Sequence, residues 1–515
     1  MNGAEALLRT LGAAGIDTYF ANPGTSEMHS VAALDAVPEA TGILTLAEGV
    51  ATGAADGYGR MARRPAATLL HCGPGLANGI ANLHNARRAR TSVVNLVGDV
   101  SSLHRAVDPP LAADIESLAH TVSSWTRRSL DGHSVARDGA EAVAAAVVPG
   151  SAIATLILPS DVCWSEGAQT AMPRPPRAPA PVQDAAILHA AKWLREGAAT
   201  ALLLGGDALI GPALQLAGAI AAATGVRLLT ESTIPRIERG QGRPGVQRIP
   251  YAQAPAIEAL AATQRLLVVG ARRPVFSFAG PDGRSYPEPE GLEIAVLSHP
   301  EDDTLDALER LAEALRPLGD ARNAALPPAR RDAPASGAVT PEAFAHSIAA
   351  LLPDDAIVVE EGLSFGRAVF PAMAAAAPHD WMQLTGGAIG SGLPMATGAS
   401  IAAPGRRVVN LQSDGAALYT VPALWTQARY GLDVTTVIFS NRSYATLFDE
   451  MKRMGAVPGK TASHLLSLAE PSIDWLQVAR GFGVEAERAT SMEEFNAAFL
   501  RSIRRPGPSL IELVI

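Results

Sequence analysis

Short runs of consecutive apolar residues alternate along this chain with longer stretches rich in alanine and leucine. In the first third the runs are Thr18–Phe20, Ile43–Leu46, Ala67–Leu70, Val93–Val97 and Ile153–Leu158. They are continuous rather than alternating, which predicts strands buried on both faces of a parallel sheet. The middle third repeats the pattern with Ala201–Leu204, Arg227–Leu229, Leu266–Val269 and Ile294–Leu297. The last third does so with Ile357–Val359, Met382–Leu384, Val408–Leu411, Val434–Phe439 and Ser509–Val514. Two segments interrupt the rhythm and read as linkers: Met172–Pro181, with five prolines in ten residues, and the proline- and arginine-rich Leu326–Ala335. The expected fold is α/β, three consecutive doubly wound parallel-sheet domains over residues 1–171, 183–325 and 336–515. Several first-third runs end in small or polar residues, as in Asn22–Pro23–Gly24–Thr25, His71–Cys72–Gly73 and Gly98–Asp99. Such sheets place their ligands at the carboxyl ends of their strands.

Composition narrows the function classes. With 515 residues, 48% hydrophobic and 18% charged, the chain has enough apolar material for several packed cores. The net charge of −9 comes without a basic patch or tail, so no nucleic-acid partner is expected. The two cysteines, Cys72 and Cys163, form no CxxC pair, so neither a disulfide framework nor a zinc site is expected. The N-terminus lacks the basic start and long apolar core of a signal peptide, and no apolar run is long enough to span a bilayer. The expected location is the cytoplasm, without membrane attachment.

The richest chemistry lies in Arg407–Gly415 and Val434–Ser443, which read as strand, Asp–Gly turn, helix, strand and Asn-containing loop. A right-handed crossover between the strands lets Asp414 and Asn441 converge. A carboxylate with an amide oxygen suits Mg²⁺, which keeps few protein ligands and adds waters and substrate phosphates. A hairpin at Asp414–Gly415 is excluded because a helix follows, not an antiparallel strand. A solvated loop aspartate with an unrelated Asn is the plain alternative.

Asn441 follows Asp414 by 27 positions. In this spacing the segment resembles the cofactor-binding signature of the thiamine-diphosphate family, an Asp between glycines followed by an Asn pair. Ser413 and Ser440 depart from that pattern, and neither replaces a metal ligand. The resemblance implies thiamine diphosphate and Mg²⁺ as cofactors, with Asp414, Asn441 and the Ser443 carbonyl on the metal. It also places Ser413 and Gly415 against the diphosphate. Thr45–Arg60 is similar to the family's glutamate segment, so Glu48 is implied to hydrogen-bond the aminopyrimidine ring and assist removal of the C2 proton. Read by itself, Glu48 is equally a helix N-terminal acid favoured by the macrodipole.

Within the family the chain resembles benzoylformate decarboxylase, with acetolactate synthase a more distant likeness. The matching segments are Asn22–Glu27, Leu70–His71, Gly386–Gly390 and Ala423–Thr426. The likeness implies Ile389 as the apolar wedge under the thiazolium, the Gly387 carbonyl as an acceptor from the aminopyrimidine, and Ser364 near the diphosphate. It puts His71 and Thr25 on the substrate side. His71 is expected to bind a substrate carboxylate or relay protons, against the alternative of a hydrogen-bonded core histidine. His104 reads as a surface-loop residue. Ala279 stands where the benzoylformate enzyme carries a second catalytic histidine, so the usual proton donor is missing there.

The implied activity is decarboxylation of a small 2-oxo acid. The alternatives are acetolactate synthase-like carboligation or 2-hydroxyacyl cleavage, and, in another class, a non-catalytic cofactor-binding homologue. The glycine-rich stretches Gly386–Gly392 and Gly73–Gly79 lack the acidic partner of a dinucleotide fingerprint, so NAD is not expected. Flavin occurs in acetolactate synthase, and the short middle domain here argues against it. The family builds its site between two subunits, which implies a homodimer at minimum and a homotetramer by likeness.

Overall fold

The computed structural model describes residues 1–150, 153–197, 199–279, 283–316 and 332–515. Three sheets form, each sandwiched by helices, in the expected α/β arrangement. The first has six parallel strands in the order Thr41–Leu44, Thr18–Ala21, Ala66–Leu70, Val93–Asp99, Ile153–Pro159, Trp125–Arg128. The second has five, Gln247–Arg248, Arg227–Thr230, Thr200–Leu204, Arg265–Val269 and Glu293–Ser298, again parallel. The third has seven, with Val408–Ser413 between Ala356–Glu361 and Val434–Ser440. Every apolar run read from the sequence forms a strand, within one or two residues at most ends. Most central strands are buried along their whole length because both faces carry helices.

Four strands lie outside the sequence reading. Trp125–Arg128 and Glu485–Ala489 are sheet-edge strands, half-buried or partly exposed and rich in charge, so they carry no continuous apolar run. Gln247–Arg248 is a two-residue edge strand. Ile237–Arg239 belongs by chain position to the middle segment, yet it pairs antiparallel with His379–Gln383 and closes the third sheet. The third sheet is therefore not wholly built from residues after 336. Of the linker read at Leu326–Ala335, residues 326–331 lie outside the described residues, as does the end of the 183–325 span.

The helices Glu48–Ala62 and Gly392–Ala402 lock the first sheet to the third. A Cβ on Gly57 or Gly398 would fall inside the backbone of the facing helix, at Met395 and Ala54, so both positions need glycine for close approach. Arg60 ties the first segment to the other two. It pairs with buried Asp56 at 2.6 Å and donates to the carbonyls of Gln383 (2.7 Å) and Pro235 (3.2 Å). Among the described residues no helix is long and apolar enough to cross a membrane.

Candidate functional site

Glu48 opens its helix, directly after the loop that follows the Thr41–Leu44 strand. The residue is 9% exposed, and its two carboxylate oxygens are each held by an asparagine. Oε1 accepts from Asn22 Nδ2 at 3.1 Å and Oε2 from Asn78 Nδ2 at 3.2 Å. Asn22 directly follows the Thr18–Ala21 strand and Asn78 lies in the Cys72–Ala89 helix, so three elements converge on one carboxylate. His71 precedes that helix, and a Cβ on Gly75 would lie 3.4 Å from His71 Cβ and 3.5 Å from Glu48 Oε1. His71 Nδ1 stands 2.9 Å from Ser26 Oγ and 3.3 Å from Glu27 Oε1. Thr25 is exposed on the turn Thr25–Glu27 that also carries Ser26. Burial, chiefly, pushes the neighbouring Cys72 thiol up, and Glu27 and Asp99 push it further.

The second cluster lies at the carboxyl end of the third sheet. Asp414 follows the strand Val408–Ser413 and is 3% exposed. Its Oδ1 accepts from the Gly415 N–H at 2.8 Å and its Oδ2 from the Arg442 N–H at 2.7 Å. The structure thus brings Asp414 onto the 441–443 loop, which the parallel neighbour Val434–Ser440 delivers. Asn441 Oδ1 accepts from the Ser443 N–H at 2.9 Å, turning the amide oxygen into the loop. Burial raises the Asp414 carboxyl's pKa, while backbone N–H groups of Arg442 and Gly415 oppose the rise. Ser413 Oγ is buried and has no hydrogen-bond partner among the described residues, and a Cβ on Gly415 would come within 2.6 Å of the Tyr444 ring. The Asp414 carboxylate and the Asn441 amide oxygen follow the ends of neighbouring parallel strands, and oxygens of this kind suit a hard cation.

Between these clusters runs the loop 386–392. Gly387 has φ +79° and is exposed at the tip, and Ile389 is half-buried beside it. The loop is pinned by Glu361, a residue that no sequence pattern singled out. Its Oε1 accepts from the N–H groups of Gly390 (2.8 Å) and Ser391 (3.2 Å). Its Oε2 accepts from Gly392 N–H (2.7 Å) and Gln412 Nε2 (2.8 Å). Burial raises the Glu361 pKa against four donors that favour its charged form. Ser364 is half-buried in the short helix Leu363–Gly366, on the same side of the sheet. Two residues before it, a Cβ on Gly362 would press on the Phe439 ring at 2.5 Å, so the chain turns tightly into that helix.

The remaining sequence-predicted residues lie apart. His104 is exposed on the short helix Ser102–Arg105, in keeping with a surface residue. Ala279 is exposed in the middle segment. Within the chain the Glu48 carboxylate is held by Asn22 and Asn78, and among the described residues it makes no hydrogen bond to Asp414 or to the 441–443 loop. Sequence reasoning missed Asn22, Asn78, Ser26, Glu27 and Glu361 as side chains that hold others in place. A separate cavity at the carboxyl ends of the middle sheet is lined by Arg60, Arg63, Arg90, Arg236 and Arg272, and by none of the sequence-predicted residues.

Two family models match separate parts of the chain. Residues 1–118 match the model described as thiamine pyrophosphate enzyme, N-terminal TPP binding domain. Residues 366–513 match its C-terminal TPP binding domain. A protein of Mycobacterium tuberculosis whose provisional name is acetolactate synthase large subunit IlvX is 49% identical over 100% of this chain and 99% of its own. Benzoylformate decarboxylase of Pseudomonas aeruginosa is 29% identical over 97% of this chain and 96% of its own. The decarboxylase is thus the less similar of these two, although the sequence motifs resemble it. Among solved structures, the Rhodococcus jostii thiamine diphosphate-dependent 4-hydroxybenzoylformate decarboxylase superposes with a TM-score of 0.84 at 23% identity. It covers 99% of this chain and 98% of that one, a likeness of fold.

Proposed function

Because this chain belongs to the thiamine pyrophosphate enzyme family, in the class named for acetolactate synthase and benzoylformate decarboxylase, we propose that it decarboxylates a small 2-oxo acid with thiamine diphosphate and Mg²⁺. The observation that carries this reading is the Asp414 carboxylate drawn onto the 441–443 loop, beside a buried Ser413 hydroxyl that has no hydrogen-bond partner among the described residues. Those groups fit a metal-bound diphosphate: the oxygens suit Mg²⁺ and the orphaned hydroxyl needs a partner.

In this reading Asp414, the Asn441 amide oxygen and the Ser443 carbonyl hold the metal, while Ser413, Gly415 and Ser364 face the diphosphate. Bound thiamine diphosphate supplies a carbon nucleophile and an electron sink beside the substrate carbonyl. Glu48, nearly buried, shares a proton with the aminopyrimidine ring. The Gly387 carbonyl and Ile389, on the loop pinned by Glu361, orient the cofactor. His71 and Thr25 face the substrate.

By family likeness Glu48 and Asp414 meet across two copies of the chain, making the working unit a homodimer at least and, by the same likeness, a homotetramer. Exposed apolar side chains occur on the segments that carry both clusters, among them Met28, Leu46, Leu103, Tyr419 and Val457, as an interface requires.

Carboligation is the second reading, favoured by Ala279, which has no proton to give, and by the name of the 49% identical relative. Incubation with pyruvate and with benzoylformate, each with thiamine diphosphate and Mg²⁺, separates the two. Free aldehyde supports decarboxylation, acetolactate supports carboligation, and no turnover of either acid contradicts both for these substrates.

A further inference from the structure

Ser26 sits between Glu27 and His71. Its Oγ donates to Glu27 Oε1, stands 2.9 Å from His71 Nδ1, and accepts from the Cys72 thiol at 3.3 Å. The other Glu27 oxygen accepts from the Gly24 N–H at 2.8 Å, and Glu27 is 2% exposed. Two glycines make room for the group: a Cβ on Gly24 would strike the His71 ring, and one on Gly98 would strike Glu27 and Ser26.

The protons in this cluster can be counted. An ionised carboxylate only accepts, so the single Ser26 hydroxyl proton goes to Glu27. The Ser26 oxygen is left to accept, and His71 Nδ1 must then carry a hydrogen. In the neutral ring that leaves a lone pair on Nε2. The His71 side chain is 22% exposed, Gly75 lies close to both His71 and the Glu48 carboxylate, and among the described residues Nε2 has no hydrogen-bond partner.

We propose that Glu27, acting through the Ser26 hydroxyl, fixes His71 in the Nδ1–H tautomer and presents the Nε2 lone pair to the substrate side of the cleft. Glu27 and Ser26 are positioning residues. A neutral His71 in this form takes a proton at Nε2 and does not give one there, so it binds a substrate carboxylate through Nε2 only after protonation. The proposal rests on the proposed function for the meaning of the cleft, but not for the tautomer itself. The charged and titratable groups near the ring are Glu27 on the Thr25–Glu27 turn, Cys72 on the helix that His71 precedes and Glu48 on the Glu48–Ala62 helix, with Asp99 at the end of Val93–Asp99 acting on Cys72.

Long-range proton–nitrogen spectra of the full chain labelled at histidine nitrogen test this, with a His71→Asn variant assigning the signal. The wild type is expected to show Nδ1 protonated and Nε2 bare above the ring's titration. Glu27→Gln places an amide NH₂ against Ser26, turns the hydroxyl proton towards Nδ1, and is expected to reverse the tautomer. Ser26→Ala leaves the ring against Glu27 alone, 3.3 Å away, and is expected to raise the His71 midpoint by about one pH unit, a tenfold change. Ser26→Thr is expected to restore the wild-type midpoint. A wild-type ring protonated at Nε2, or an unchanged midpoint in Ser26→Ala, overturns the proposal. Thiamine-diphosphate titration of the same samples reports separately: absent binding with the expected tautomer sinks the cofactor reading alone.

Discussion

Glu48→Gln separates the proton chemistry of this site from its architecture. The carboxylate accepts from Asn22 at 3.1 Å and Asn78 at 3.2 Å. Glutamine keeps one acceptor oxygen and sets an NH₂ against the other asparagine's NH₂. Left unresolved, a buried unpaired donor costs about 1–3 kcal/mol. Either asparagine can turn its amide over to present oxygen, so a stability loss of about 1 kcal/mol, at the low end of that range, is expected. The chemical loss should be larger, because the amide cannot share the aminopyrimidine proton. Positioned acid–base groups contribute roughly 10²–10⁴-fold, or about 3–5 kcal/mol of barrier. The assay is deuterium exchange at the thiazolium C2 of bound cofactor, quenched in acid and read by proton NMR. Cofactor binding should persist while exchange slows by at least about 10²-fold. Exchange as fast as wild type in a cofactor-saturated variant would falsify the role given to Glu48.

Three further perturbations follow from the geometry. Glu361→Gln should lose about 2–4 kcal/mol, since an NH₂ replaces one oxygen among four donors; urea unfolding measures this, and an unchanged midpoint contradicts the clamp. Gly398→Ala drives a Cβ into the Ala54 carbonyl, so thermal unfolding should show a loss of about 1–3 kcal/mol or more, and wild-type stability would refute the close packing. Burial holds His379 at a pKa of about 4, below its ordinary 6.5, with Nδ1 donating to the Ala377 carbonyl at 2.7 Å. The unfolded ring therefore protonates first. The His379 contribution is full above about pH 6.5 and is lost as pH falls towards 4, by roughly 3 kcal/mol in total. In His379→Gln the stability slope across that window should flatten; an unaltered slope counts against the assignment.

The central strands were legible because strands buried on both faces have no polar side to alternate with. The strands that escaped, such as Trp125–Arg128 and Glu485–Ala489, lie at edges where charge is tolerated. Ile237–Arg239 escaped for another reason: its partner His379–Gln383 is far along the chain, and no local pattern records such a pairing. At the site, Asp414 and Asn441 stood out as hard-oxygen residues after neighbouring strands, and Glu48 through the likeness of its segment to the family's. Asn22 and Asn78 did not, because an amide gains meaning only once folding sets it against a carboxylate. Glu361 reads in sequence like any acid at a strand end, and its four donors come from a loop and a strand brought together by the fold. Ser26 and Glu27 fell within a recognised loop, but their link to His71 spans two strand ends.

The central claim is that Asp414 and the 441–443 loop bind a metal-linked diphosphate. Calorimetric titration of the full chain with thiamine diphosphate, with Mg²⁺ and then with excess chelator, tests it most directly. Saturable binding with Mg²⁺ is expected, abolished by chelation and removed by Asp414→Ala. Binding that is absent with Mg²⁺, or indifferent to both the chelator and the substitution, would contradict it.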